Sequence, residues 1–274
     1  MSFDVSSAVV RRCELILIID LLPSMENVNE AQWTSEWLKN SNPNIETQIF
    51  QGIDACWPNE TELNDCMGVV TTGSTYSCME DYPHTESLFK FFKMVILLEI
   101  PLLTICYSAQ MLVRWLAGKE NVTCLPVPHI GSIRIQSLTH GDTNHCFSLL
   151  NNMLDEPLIS SIAQSDGFIL PDEHKKFSVQ VGSLMKETCF IHQASATKWN
   201  YQGFQLLGLP VWGIQFHPNW PADGAEAVFR IVKSHNSDIV VERQGIFDEI
   251  GRHRVASRFL SACCTNLPSS SGIV

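Results

Sequence analysis

Residues 13–22, CELILIIDLL, run apolar without alternation between Arg12 and Pro23, the pattern of a strand covered on both faces. NEAQWTSEWLKN (29–40) spaces Trp33, Trp37 and Leu38 along one side of a helix, and SNPN ends it. IETQIFQG (45–52) and CMGVVTTGS (66–74) read as the next strands, the latter closing in a small polar turn. HTESLFKFFKMVILLE (84–99) carries helical spacing behind an N-cap candidate, Thr85 or Ser87. PLLTIC is a fourth strand and SAQMLVRWLAG (108–118) a helix closed by Gly118. Further strands are expected at 131–138, 176–184, 189–194 and 211–218, with a helix over 221–235 behind Pro221. Strand and helix alternate through the first half. The pattern predicts an α/β fold with an open, mostly parallel central sheet and helices on both faces.

Composition narrows the chemistry. The chain has 274 residues, 45% of them hydrophobic, enough for one large domain. With 29 acidic against 18 basic residues the formal charge is −11, so no basic stripe invites a nucleic-acid backbone. The longest apolar stretch, Met94–Cys106, is broken by Glu99 and Pro101 and is too short to span a bilayer. None of the ten cysteines forms a C-x-x-C pair, so zinc spacing is absent and no metal or organic cofactor is expected. The first twenty residues lack the pattern of a signal peptide, which points to reduced thiols and a cytoplasmic protein.

Cys106 ends strand 101–105 just before a helix. A buried cysteine is usually a small hydrophobe, but this position is also that of a nucleophile on a tight strand-to-helix turn. There the helix dipole favours a thiolate, and the N–H of Tyr107 can face an oxyanion. Among nine histidines, His217 in WGIQFHPNW best suits the base, at a strand end before Pro218. Asn219, two residues on, shares its face in an extended segment and could orient the ring.

These segments carry a resemblance. PLLTICYSAQMLVRWLAGKENV with VWGIQFHPNW resembles the class I glutamine amidotransferases, which carry a G-[IV]-C-x-G-x-Q elbow and a G-[VI]-Q-F-H-P-E segment. GVVTTGSTYSCMEDYPHTESLFKFFK is similar to the family's oxyanion strand and loop, and AQSDGFILPD (163–172) to its S-H-x-D-x-V segment. The resemblance implies a flavodoxin-like domain over 13–235, an extension over 1–12, and a C-terminal helical extension with a frayed tail over 236–274. It implies Cys106 as nucleophile, His217 as base and Asn219 in the place of the triad glutamate. Gly73, Ser74, Tyr107, Gln110 and Ser165 then serve the oxyanion and the substrate.

The implied function is hydrolysis of the γ-amide of glutamine, or of a γ-glutamyl bond, through a thioester on Cys106. A synthetase partner chain would be one acceptor for the ammonia. The departures are Thr104 and Ser108 at the elbow glycines, Asp166 for the histidine of S-H, and Asn219 for glutamate. An amide can hold the imidazole tautomer but brings no charge, and Asp223 is the nearby acid that could supply it. The alternative function is a weakened or inactive amidotransferase-fold protein acting as a binding or regulatory partner.

Overall fold

The computed structural model describes residues 14–138, 158–172, 174–235 and 237–265. Strand β1 (Leu15–Asp20) shows why an unbroken apolar run is needed: Leu17 and Ile19 enter one core cluster, Ile16 and Ile18 the other. It pairs in parallel with β2 (Glu46–Gln51) on one side and β3 (Gly68–Thr71) on the other. β4 (Leu102–Ile105) continues the parallel set beside β3. Helix α1 (Glu30–Ser41) covers one face through Trp37 and Leu38. Helices α3 (Thr85–Leu97) and α4 (Tyr107–Ala117) cover the other through Phe91, Phe92, Val95, Met111 and Leu112. Short α2 (Glu60–Asp65) precedes β3 and is fixed by a capping box between Asn59 and Glu62.

Beyond β4 the sheet turns mixed. Long strands β5 (Val122–Ser137) and β6 (Leu158–Phe168) pair antiparallel, and hairpin β7 (Phe177–Val181) and β8 (Leu184–Thr188) stands apart. β9 (Phe190–Ser195), β10 (Gly203–Leu206) and β11 (Val211–Ile214) lead back to β4, which β11 joins in parallel. Helix α5 (Ala222–His235), strand β12 (Val241–Arg243) and helix α6 (Glu249–Thr265) complete the chain. The sheet order is β12-β5-β9-β10-β11-β4-β3-β1-β2, with β6 on β5: α/β, mostly parallel at its centre, helices on both faces.

Several boundaries differ from the sequence expectation. His84, not Thr85 or Ser87, is the N-cap of α3; Thr85 is already helical, and its hydroxyl accepts the Tyr82 N–H at 2.9 Å. β5 starts nine residues before the expected strand at 131, because it passes Pro126 and Pro128 in a register break between Cys124 and His129.

The segment expected as a C-terminal helical extension contains α6, and this helix packs into the core: Val255, Phe259 and Cys263 lie fully buried in the same cluster as Ile16 and Trp37. Trp37 Nε1 donates to the Arg252 carbonyl at 2.9 Å. The expected extension at 1–12, Cys13, Cys146 and the tail beyond Thr265 lie outside the described residues. No helix among the described residues is long and apolar enough to cross a membrane.

Candidate active site

Cys106 closes β4 and N-caps α4 with φ 53° and ψ −112°, a positive φ that an L-residue with a side chain adopts only under strain. Such strain is held by surrounding bonds. The Cys106 N–H donates to the Ile214 carbonyl at 2.7 Å, and its carbonyl accepts from Gln110 N–H at 3.0 Å. Ser108 ties the elbow to the sheet: its hydroxyl lies 3.0 Å from the Thr71 carbonyl and accepts the Ile105 N–H at 2.9 Å. The Thr104 hydroxyl donates to the Trp212 carbonyl at 3.0 Å. Both replacements of the elbow glycines therefore stitch neighbouring strands together.

The sulfur is not raised into bulk solvent. Cys106 is 5% exposed and lies in the wall of a cavity of about 230 Å³. Cys56, Cys124 and Cys264 are the exposed thiols among the described residues. Gln215 Nε2 donates to Cys106 Sγ at 3.3 Å, and Gln110 Nε2 bridges the Gln215 side chain and the Asp166 carbonyl. Gln110 is thus bonded within the protein, although it lines the same cavity as Ser74, Ser165 and Asp166. The Asp166 carboxylate accepts from Ser77 Oγ at 2.5 Å and from Cys78 N–H at 2.9 Å, pinning the loop after Ser74.

His217 follows β11, and its N–H donates to the Ser161 carbonyl at 2.8 Å, which locks the turn against β6. Arg252 of α6 holds the same turn by donating to the carbonyls of Pro218 and Asn219 at 2.8 and 3.2 Å. The imidazole stacks on Trp220 with centroids 3.7 Å apart. Its Nε2 is buried, makes no hydrogen bond of full geometry among the described residues, and interacts with Cys106.

The partner of Nδ1 is neither Asn219 nor Asp223. Glu30, in the first turn of α1, places Oε1 at 3.1 Å from His217 Nδ1, and both side chains are 2% exposed. Asn219 Nδ2 donates to the same oxygen at 3.1 Å and to Thr34 Oγ1 at 2.9 Å, so it positions the carboxylate rather than the ring. Asp223 bonds the N–H of Gly224 in α5 and does not line the cavity.

Burial alone would raise the Glu30 carboxyl, but the His217 charge and hydrogen bonds from His217, Asn219 and Gly73 outweigh it and lower its pKa. Burial likewise opposes charge on His217. The negative charges of Cys106 and Glu30 overcome this and raise the imidazole to about 9.

Gly73 differs from its expected role. Its N–H donates to Glu30 Oε1 at 3.3 Å instead of standing free for an oxyanion. A Cβ at this position would lie 2.9 Å from His217 Cε1 and 3.3 Å from Cys106 Cβ, so the absence of a side chain is what lets the three groups converge. Tyr107 opens α4, where the first N–H groups have no partner within the helix.

Glu30, Gln215 and Trp220 were not singled out by the sequence reading. A signal for Glu30 existed: it shares the buried side of α1 with Thr34, Trp37 and Leu38, where an acidic residue is costly unless paired.

No family model and no curated protein sequence matches the chain. Solved structures do. A glutamine amidotransferase of Thermotoga maritima superposes with TM-score 0.66 at 17% identity, over 92% of this chain and 99% of that one. A glutamine amidotransferase from Methylobacillus flagellatus gives 0.64 at 15%, over 93% and 96%. A GMP synthase subunit protein from Thermoplasma acidophilum gives 0.60 at 17%, over 92% and 94%. Across nearly its whole length the chain has the fold of solved glutamine amidotransferases.

Proposed function

We propose that the protein is a cysteine-dependent amidase that cleaves the γ-amide of glutamine or a γ-glutamyl bond. The observation that carries this reading is the convergence of a strained Cys106, the buried His217 imidazole that interacts with it and the buried carboxylate of Glu30. The fold shared with glutamine amidotransferases supports the substrate class.

In the reaction, Cys106 passes its thiol proton to His217 Nε2, Sγ attacks the amide carbon, a C–S bond forms, and the carbonyl π pair moves to oxygen. The Tyr107 N–H at the start of α4 is the donor for that oxyanion. Collapse breaks the C–N bond, and the departing nitrogen takes the proton from His217 Nε2. Water then attacks the thioester while His217 accepts its proton, releasing the acid and the thiol. Glu30 holds the Nδ1–H and balances the imidazolium charge throughout.

A primary amide would release ammonia to a synthetase partner chain, and a substituted amide would release an amine into solution. Steady-state release of glutamate from glutamine and from γ-glutamyl amides tests the reading. Turnover that disappears in Cys106→Ala supports it. Equal turnover in Cys106→Ala overturns it, and inertness of both wild type and variant toward all these amides assigns the chain to the binding-protein alternative.

A further inference from the structure

The cavity at Cys106 combines two chemistries. Ser74, Thr75, Ser77, Ser165 and Asp166 supply polar lining. Trp220 lies against the His217 ring and joins Ile130 and Val228 in a separate apolar cluster, with Val28, Ala163 and Val232 packed onto it. All six of these apolar residues line the cavity.

The general acid fixes which substrate fragment meets which lining. His217 Nε2 must reach the departing nitrogen, so the leaving group lies beside the imidazole. Trp220 stacks on the imidazole, and the aliphatic side chains of its cluster line the cavity with it. Ammonia has no apolar surface to place against such a wall. A carboxylate-bearing amine would find no Lys or Arg to pair with, since among the described residues neither lines the cavity and the His217 charge is already matched by Glu30.

Building on the amidase reading, we infer that the site is selective for N-substituted γ-glutamyl amides whose leaving group is an apolar amine, aliphatic or aromatic. The C–N bond breaks with its electron pair on nitrogen, the proton comes from His217, and the alkyl or aryl part of the amine rests on Trp220, Ile130, Val228 and Val232. Apolar contacts made here raise kcat/KM by desolvating a group that must remain close to the acid through the transition state.

The test is a series of γ-glutamyl conjugates read by glutamate release: glutamine, methylamide, n-butylamide, benzylamide and the glycine conjugate. Butylamide and benzylamide are expected to exceed methylamide and glutamine by at least about tenfold in kcat/KM, with the glycine conjugate lowest. Val232→Lys, which adds a cation to a half-buried wall position, is expected to reverse the order of glycine conjugate and butylamide. Glutamine turned over as well as or better than butylamide overturns the inference and leaves the amidase reading intact. Failure of every conjugate to yield glutamate, in wild type and variant alike, overturns both.

Discussion

His217 Nδ1 and Glu30 Oε1 lie 3.1 Å apart although 187 residues separate them in the chain, and both are buried. The imidazole therefore takes its charge partner from the first turn of α1, at the carboxyl end of β1. It does not come from the strand-end segment that carries the histidine. In an open parallel sheet both places border the same crevice, so a carboxylate can change element without leaving the site.

Glu30→Gln removes the charge while keeping a side chain of similar size. Single-turnover acylation is expected to slow by roughly a hundredfold, because the buried imidazolium loses its balancing carboxylate. A rapid-quench assay with a γ-glutamyl amide measures it. An unchanged rate would show that Glu30 is structural only.

The pH profile carries the same relationship in another observable. His217 is raised to about 9 from its ordinary value of 6.5. Its contribution to stability is thus fully present below about 6.5 and is lost as pH rises through 9. Glu30 is lowered, so its contribution is present above its unfolded value of 4.5 and is lost as pH falls through its depressed folded value. Wild-type stability should accordingly fall between about pH 6.5 and 9, and in Glu30→Gln this alkaline fall should be smaller and end at lower pH. Denaturant titrations across that range give the comparison, and coincident alkaline limbs would contradict the assigned pair.

Asn219 separates positioning from charge. Asn219→Ala removes one of the donors to Glu30 and should cost roughly 1–3 kcal/mol of stability. It should slow acylation less than Glu30→Gln, since the ion pair itself survives. Asn219→Glu is expected to be the more damaging change, because it sets a second buried carboxylate against Glu30. A faster Asn219→Glu enzyme would return the role to position 219.

Most of the architecture was legible because it rests on local periodicity: β1 is apolar on both faces, and α3 and α4 are amphipathic. Cys106 and His217 were legible because each ends a strand within a short recognisable segment. Glu30 was not, since its helical spacing with Thr34, Trp37 and Leu38 hints at an inward side but names no partner. Its partner is supplied by tertiary packing across 187 residues. β10 escaped for a similar reason: it is only four residues long, and its buried Gln205 is satisfied by Gln193 rather than by solvent. Helix α6 has a weakly segregated apolar side, so only its burial against α1 shows that it belongs to the core.

Gly73→Ala tests the closeness of the three groups without touching any of their functional atoms. The added methyl would meet His217 Cε1 at 2.9 Å and Glu30 Oε2 at 3.2 Å, so the ring must shift. Acylation should fall at least about tenfold, as a displacement on the order of 1 Å is enough to spoil alignment, while the circular dichroism spectrum stays that of wild type. Full activity in this variant would mean that the observed packing is not required for the chemistry.

Covalent labelling by a diazo-ketone analogue of glutamine, followed by peptide mass mapping, addresses the nucleophile itself. The exposed Cys56, Cys124 and Cys264 serve as internal controls, since they are more accessible than the buried Cys106. The predicted result is one adduct per chain on Cys106, formed more slowly in Glu30→Gln and absent in Cys106→Ala. Adducts confined to the exposed cysteines, with Cys106 unmodified in the folded protein, would contradict it.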